Sequence, residues 1–313
     1  MEVCLFIEPH RGASYREQRD FARHAEECGF AGLFRADHYQ PFGSSAGLPG
    51  PTDAWLTLAA LAVETIRIRL GTLVTSITFR LPGPLAIAVA QVDQMSQGRV
   101  ELGIGAGWFA PEHRSYGIPF PPLAERLSRL AEQLEVVTGL WRTPVGERFG
   151  HQGRYYQLVD APALPKPVQV PGPPIIIGGR GLRRTPMLAA RYADEFNATF
   201  QAPAAAASAF RAVAGAAAQV GRRRPIRRSV GIPVACGRTD AQARQRAAAL
   251  YEPGSVLPAG ESLVVGSPQQ LVDRIHELRE VGADRVYLRP GALTDRAHLD
   301  LLASEVLPAV TTC

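Results

Sequence analysis

The chain has 313 residues, 46% of them hydrophobic, with 34 basic against 29 acidic side chains and a formal net charge of +5. That length fits one large domain or two small ones, and the hydrophobic fraction is ordinary for a globular protein with a real core. The basic excess is nearly all arginine, Lys166 being the single lysine, and its one dense run (Arg222, Arg223, Arg224, Arg227, Arg228) lacks the motifs of a nucleic-acid surface; no apolar stretch is long enough to span a bilayer, so neither nucleic acid nor membrane is an expected partner.

Short β-type runs alternate with longer helical patterns. Residues 3–7 form a compact apolar run and predict a buried strand. Residues 14–28 predict a helix with Phe21, Ala22, Ala25 and Cys28 on one face, ended by Gly29. A second strand is expected at 32–35, and Thr52-Asp53 caps a helix running to about Val63. The third strand is expected over 66–74, a helix over 84–95 stopped by Gly98, the fourth strand over 99–103, and an amphipathic helix over 122–140. Residues 143–174, rich in Gly and Pro with a hairpin expected at 149–158, break the rhythm. An insertion of that length commonly binds something or covers a pocket. The alternation then resumes with strands at 175–177, 195–198, 229–235 and 285–288. Helices are expected at 185–192, 203–220, from Asp240, at 267–281 with Pro268 in the first turn, and at 294–310, with a loop over 252–260.

Eight strand-then-helix units predict the α/β class and a parallel sheet closed into a (β/α)8 TIM barrel. The chain reads as a single domain over 1–313, with 143–174 inserted after the fourth βα unit. A doubly wound open sheet is the alternative. Its nucleotide-binding form needs a glycine signature in the first βα turn, whereas Gly103-Ile104-Gly105-Ala106-Gly107-Trp108 follows the fourth strand. In a barrel the chemistry lies at the C-terminal ends of the strands, so each such junction is a candidate.

The first junction offers Glu8 and His10, as a substrate contact or acid or as loop chemistry around Pro9. The second offers Asp37-His38, where a histidine donates a hydrogen bond or a proton near neutral pH. The third runs Val74-Thr75-Ser76-Ile77-Thr78-Phe79-Arg80; its hydroxyls suit a planar ring or a phosphate, or reflect β-propensity alone. At the fourth, alternating glycines let backbone approach a bulky ligand, and Glu112-His113 beyond them are polar site groups or simply the next helix. The fifth is Gly178-Gly179-Arg180-Gly181-Leu182-Arg183-Arg184-Thr185. Glycines ahead of a helix N-terminus expose N–H groups that favour an anion, and arginines pair with phosphate or carboxylate. The set suits a planar, phosphorylated redox cofactor across the barrel mouth. Cys4, Cys28, Cys236 and Cys313 form no C-x-x-C pair, and no H-E-x-x-H occurs, so no metal is expected. Free thiols and the lack of a leader pattern after Met1 fit a reducing cytoplasm.

Six segments, from Gly29 to His38, Leu70 to Arg80, Ser96 to Trp108, Glu112 to Phe120, Pro174 to Arg184 and Ala189 to Asn197, resemble the luciferase-like monooxygenase superfamily. The resemblance is closer to its branch that uses the deazaflavin coenzyme F420. It implies a barrel holding F420 at the C-terminal face, with Asp37 and His38 flanking the redox ring. It implies a bulge around Val74, Thr75 and Ser76 behind the ring, often with a non-prolyl cis peptide, and Gly105, Ala106 and Gly107 beside it. The turn of Gly178, Gly179, Arg180, Arg183 and Arg184 would take the phosphate. Sugar-phosphate dehydrogenases of that branch carry a glutamate in the fourth-strand glycine loop. The loop here, with Ala106 and then Phe109 after Trp108, carries none, which implies a more apolar pocket and another substrate. The implied reaction is hydride transfer between F420 and a small organic molecule: a carbonyl, imine or activated alkene. His38 would polarise or protonate that substrate, with Asp37 and Glu8 as further catalytic candidates. FMN is the alternative cofactor, in an oxygen-activating monooxygenase; a flavin-binding homologue without turnover is the other alternative. Such barrels often form homodimers.

Overall fold

A computed structural model of the chain describes residues 1–43, 46–250 and 263–311. The chain opens with β1 (Glu2–Ile7), a 3-10 turn at Pro9–Arg11 and α1 (Tyr15–Glu27). Ser14 starts α1 with a reciprocal capping box: its hydroxyl accepts from the Glu17 N–H, and the Glu17 carboxylate accepts from the Ser14 N–H. β2 (Gly32–Arg35) and α2 (Ala54–Glu64) follow, and Asp53 caps α2 by accepting from the N–H groups of Trp55 and Leu56. Next come β3 (Arg69–Thr72), β4 (Thr75–Ser76), α3 (Pro82–Met95), β5 (Val100–Gly105), α4 (Ala110–Ser115) and α5 (Leu123–Arg142). β6 (Phe149–Gln152) and β7 (Gln157–Ala161) form a separate antiparallel hairpin. The second half holds β8 (Ile175–Gly178), α6 (Arg184–Tyr192), β9 (Glu195–Ala198), α7 (Pro203–Gln219), β10 (Arg227–Cys236) and α8 (Asp240–Leu250). It ends with β11 (Val264–Gly266), α9 (Pro268–Glu280), β12 (Arg285–Arg289), α10 (Arg296–Glu305) and α11 (Leu307–Thr311). The loop expected over 252–260 and Cys313 lie outside the described residues.

Eight strands pair in parallel in the circular order β1, β2, β3, β5, β8, β9, β10, β12. The ring closes where β12 returns to β1, with Arg285 opposite Glu2. The fold is therefore the closed barrel and not the open sheet. Two short strands extend it: β4 beside β5 and β11 beside β10. Side chains alternate across each strand. On β1, Val3, Leu5 and Ile7 face outward to the helices, packed with Phe21, Ala22 and Ala25 of α1. Cys4 and Phe6 face inward, with Phe34, Ala36, Ile176 and Tyr287. Towards the N-terminal end the interior is ionic. The buried Arg285 donates to Glu101 (2.7 Å), Glu195 (2.8 Å) and Glu2 (2.7 Å), and Tyr287 donates to Glu195 (2.6 Å). Burial disfavours the Arg285 charge, but Glu195 and the other carboxylates outweigh it and raise its pKa. This cluster fills the bottom of the barrel and leaves the C-terminal end for a site.

The elements depart from the expected pattern in four places. The third strand is Arg69–Thr72, not 66–74. The Glu26 carboxylate takes the N–H groups of Ile66, Arg67 and Ile68 (2.9, 2.5 and 2.8 Å), so those residues have no free amides for a ladder. The non-prolyl cis peptide that the resemblance implied is present, at the Leu73–Val74 bond leading into the expected segment, after which the chain re-enters pairing as β4. The fourth strand extends past Gly103 to Gly105, which puts Ile104 and Gly105 inside it rather than after it. β11 has no counterpart in the sequence pattern. Finally, the insertion buttresses the bottom of the barrel instead of covering the mouth. Asp93, near the end of α3, accepts from the N–H groups of Val168 and Gln169 (2.8 and 3.0 Å), and Gln169 donates to the Val100 carbonyl at the start of β5 (2.8 Å).

Candidate functional site at the barrel mouth

The residues after β2, β4 and β5 form one hydrogen-bonded unit. Asp37 is buried; its Oδ2 accepts from Thr75 Oγ1 and from Arg80 Nη1, both at 2.5 Å. Its Oδ1 is buried and has no partner among the described residues. Arg80 also donates from Nη2 to Asp53 (2.5 Å) and to the Tyr39 hydroxyl (3.1 Å). Burial disfavours the Arg80 charge, but Asp37 and Asp53 outweigh it and the pKa is raised. Arg80 thus ties the second and third junctions to the cap of α2. Arg35, fully buried, anchors the same loop by donating to the carbonyls of Ala36 (3.1 Å) and Thr52 (2.8 Å).

His38 points Nδ1 at Glu112 Oε1, 2.9 Å away, and Glu112 Oε2 accepts from the Tyr39 N–H, also at 2.9 Å. With the carboxylate as acceptor, the pairing assigns the Nδ1 hydrogen to this bond. Nε2 has no protein partner among the described residues. Glu112 is itself buried, on the one-and-a-half-turn helix α4. The next residue, His113, links Thr78 Oγ1 (2.6 Å) to the Phe109 carbonyl (2.9 Å). Glu112 and His113 do lie in the next helix, α4, and from it they reach His38 and Thr78. Around His38 stand Phe42, His10, Trp108 and Phe109, with ring centroids 4.8, 5.0, 5.8 and 6.3 Å away. Neither ring nitrogen of His10 has a hydrogen-bond partner among the described residues, and burial holds its pKa down to about 3.

Glu8 follows β1, beside β2 and this unit, and accepts from Arg289 (2.6 Å) and Arg11 (2.8 Å). Burial pushes its pKa up, but the two guanidinium groups outweigh burial and hold it at about 2. Of its two expected roles, contact fits this carboxylate; as an acid it has no proton to give near neutral pH.

The fourth-strand glycines have a tighter purpose than an open platform. A Cβ on Gly103 would lie 2.0 Å from the Thr72 carbonyl oxygen, one on Gly105 2.9 Å from Val74 Cγ2, and one on Gly107 2.3 Å from Ser76 Oγ. The glycines make room for the turn from β3 into β4. The Ala106 carbonyl accepts from Arg126 Nε at 3.0 Å. At the fifth junction Gly178 ends β8 and Gly179 has φ +153. Arg183 is the N-cap of α6 and no side chain caps it; exposed Arg180 and Arg183 lie at this helix start. Arg184 turns away, donating to the Ala124 carbonyl and Ser128 Oγ of α5, both at 2.9 Å.

The structure brings the expected Asp37, His38, Thr75 and Ser76 to the barrel mouth, and adds Arg80 and Glu112 as the partners of Asp37 and His38, which sequence reasoning did not pair with them. Arg80 stands 43 positions from Asp37 and Glu112 stands 74 from His38, and no local spacing joins them.

Comparison with known proteins bears on this arrangement. A family model described as luciferase-like monooxygenase matches residues 1–285. Over 184 residues the chain is 38% identical to the F420-dependent glucose-6-phosphate dehydrogenase of Microbacterium testaceum (strain StLB037), covering 58% of this chain and 52% of that protein. The protein of the same name from Nakamurella multipartita is 37% identical over 184 residues, with the same shares. The chain spans about half the length of the curated relatives it matches. Among solved structures, an F420-dependent secondary alcohol dehydrogenase bound to an F420-acetone adduct superposes with a TM-score of 0.84 at 18% identity, covering 99% of this chain and 98% of that one. Monooxygenase RslO1 from Streptomyces bottropensis superposes with a TM-score of 0.82 at 22% identity, covering 98% and 99%. At these identities the two structures speak for the fold alone. The family match runs from β1 to the start of β12 and takes in the junctions after the first seven barrel strands, and the chain belongs to the luciferase-like monooxygenase family.

Proposed function

We infer that the protein is an F420-dependent oxidoreductase that moves a hydride between the deazaflavin and a small organic substrate, a carbonyl, imine or activated alkene. The observation that carries the reading is the unit of Asp37, Thr75 and Arg80 at the barrel mouth. It presents a buried carboxylate oxygen without a partner beside a histidine whose Nε2 is unpaired among the described residues. A buried acceptor of that kind calls for a donor from a ligand. The likeness to relatives named as F420-dependent dehydrogenases supports the choice of cofactor.

The residues fit such a group. Asp37 would accept from its polar edge, and Val74, Thr75, Ser76, Gly105, Ala106 and Gly107 would line the ring. The uncapped start of α6, with Gly178, Gly179, Arg180 and Arg183, would hold its phosphate. When bound, the deazaflavin supplies a carrier for two electrons and a hydride. The protein's part is position and charge. Glu112 fixes the His38 ring with Nδ1 towards it, so Nε2 would meet the substrate oxygen or nitrogen and exchange a proton there, taking it as the substrate is oxidised and returning it in the reverse direction. Phe42, Trp108 and Phe109 wall the space around His38 with apolar surface. No carboxylate lies between Gly103 and Phe109, which favours a substrate less polar than a sugar phosphate. Exposed Leu56, Val63, Ile66 and Ile87 on and beside α2 and α3 support a homodimer. Among the described residues no helix is long and apolar enough to cross a membrane.

The test is a fluorescence titration of the purified protein with F420 and, separately, with FMN, followed by turnover in the His38→Ala variant. F420 should bind and FMN should not. The variant should keep F420 affinity and lose turnover by about 10²–10⁴-fold. Tight FMN binding without F420 binding would replace this reading with a flavin monooxygenase.

A further inference from the structure

On the outer wall of the barrel, towards the end opposite the mouth, three unlike donor atoms converge. His24 and Cys28 stand four residues apart at the end of α1, which puts them on one helix face. Asp300 comes from α10. His24 Nε2 lies 2.8 Å from Asp300 Oδ1, and Cys28 Sγ lies 3.7 Å from His24 Nε2 and 3.8 Å from Asp300 Oδ1. The other ring nitrogen, His24 Nδ1, is 3.5 Å from Glu27 Oε2. Among the described residues this is the one group of three potential metal ligands whose donor atoms come within 4.8 Å of one another.

A plain His–Asp pair needs no sulfur, and the distances say more than a pair requires. A tetrahedral zinc ion has Zn–S of about 2.3 Å and Zn–N and Zn–O of about 2.0–2.2 Å, so its ligand atoms are separated by roughly 3.6 Å for sulfur to nitrogen or oxygen and roughly 3.4 Å for nitrogen to oxygen. Both sulfur edges found here are close to those values. The third edge must open by roughly half an ångström, which the Asp300 side chain, 59% exposed, is free to do. Glu27 stands where a metal-bound histidine finds a carboxylate for its second ring nitrogen. The support is rigid: α1 starts in a capping box, and the neighbouring Glu26 anchors three backbone amides after α2. One sulfur, one imidazole and one carboxylate suit a borderline-soft divalent ion, with water in the fourth place.

We propose that His24, Cys28 and Asp300 bind a divalent ion of the zinc class that staples α1 to α10. The site is structural and separate from the chemistry at the mouth. Binding forms a metal–sulfur bond and sends the thiol proton to solvent, with no change in oxidation state. The ion joins the first helix of the chain to one from its last βα unit, across the point where the barrel closes.

Calorimetric titration of the chelator-treated full chain with zinc sulfate, in two buffers of different ionisation heat, tests this. One ion per chain should bind with release of about one proton. Cobalt in place of zinc should give a near-ultraviolet thiolate charge-transfer band. Cys28→Ala should abolish that band, and both Cys28→Ala and the surface variant Asp300→Asn should weaken zinc by about tenfold or more with unchanged far-UV circular dichroism. Absence of one-to-one uptake, absence of the cobalt band in the wild type, or full affinity in folded Asp300→Asn would each overturn the proposal. Asp300 is exposed enough that its variant should fold even where Cys28→Ala does not.

Discussion

At the scale of single residues, the site rests on two carboxylates that do different work. Glu112 orients His38 with one oxygen and the Tyr39 amide with the other, so its loss frees both the ring and the backbone of the junction. Glu112→Ala should lower kcat by about 10–100-fold with little change in F420 affinity, and Glu112→Gln, which keeps an acceptor, should lower it less. Equal steady-state rates in wild type and Glu112→Ala would exclude the orienting role. His10 makes a second prediction, about pH. Its folded pKa is about 3 against an ordinary 6.5, so below about 6.5 the unfolded chain takes up a proton that the folded chain refuses. Stability should therefore fall as the pH drops from about 6.5 towards 3, by roughly 1.4 kcal/mol per pH unit from this group. His10→Phe should flatten that part of a urea-unfolding profile. Glu8 acts lower down: its folded pKa of about 2 against 4.5 gives stability present above 4.5 and lost as the pH falls towards 2. The two effects are separable because only the histidine's window lies above pH 4.5.

At the scale of elements, the insertion shows how one side chain places a segment. Asp93 accepts from two backbone amides and from Gln169 Nε2, and so pins residues 168–169 beneath α3 and β5. Asp93→Ala leaves those donors without partners and should cost about 1–3 kcal/mol. Amide hydrogen exchange over 166–170 should accelerate, while kcat stays at the wild-type value because this contact lies at the end away from the mouth. A fall in kcat matching the loss of protection would instead tie the insertion to the site. α4 works the other way: it is only six residues long, yet it carries Glu112 beneath His38 and His113 beside Thr78.

Across the whole molecule, the barrel is apolar outside, ionic at its lower end and open for chemistry at the other. Arg285 is the hub of the lower end, facing Glu2, Glu101 and Glu195 from three other strands. Burial raises the Glu195 pKa, whereas Arg285 and Arg69 outweigh burial at Glu101 and lower it. Arg285→Met leaves buried carboxylates without their counter-charge and should destabilise the fold by about 3–5 kcal/mol in urea unfolding at neutral pH. A loss under about 1 kcal/mol would mean that the cluster holds the barrel less than its burial implies.

Periodicity and position carried the architecture. Apolar runs with helical patterns between them are local signals, and each strand buries its own alternating face, so the eight units and their order were legible without coordinates. Asp37, His38 and the hydroxyls after β3 were legible for the same reason: strand ends are local features. What only the tertiary structure decided are the pairings between distant residues, Arg80 with Asp37, Glu112 with His38, and Asp300 with His24 and Cys28. Hydrogen bonds and ion pairs form where the chain returns in space, and that separation leaves no period in the sequence. The glycine run sits between the two cases. Its place near the end of the fourth strand was readable, but its purpose was not, because the atoms that need the missing side chains, Thr72, Val74 and Ser76, belong to the neighbouring strand and its turn.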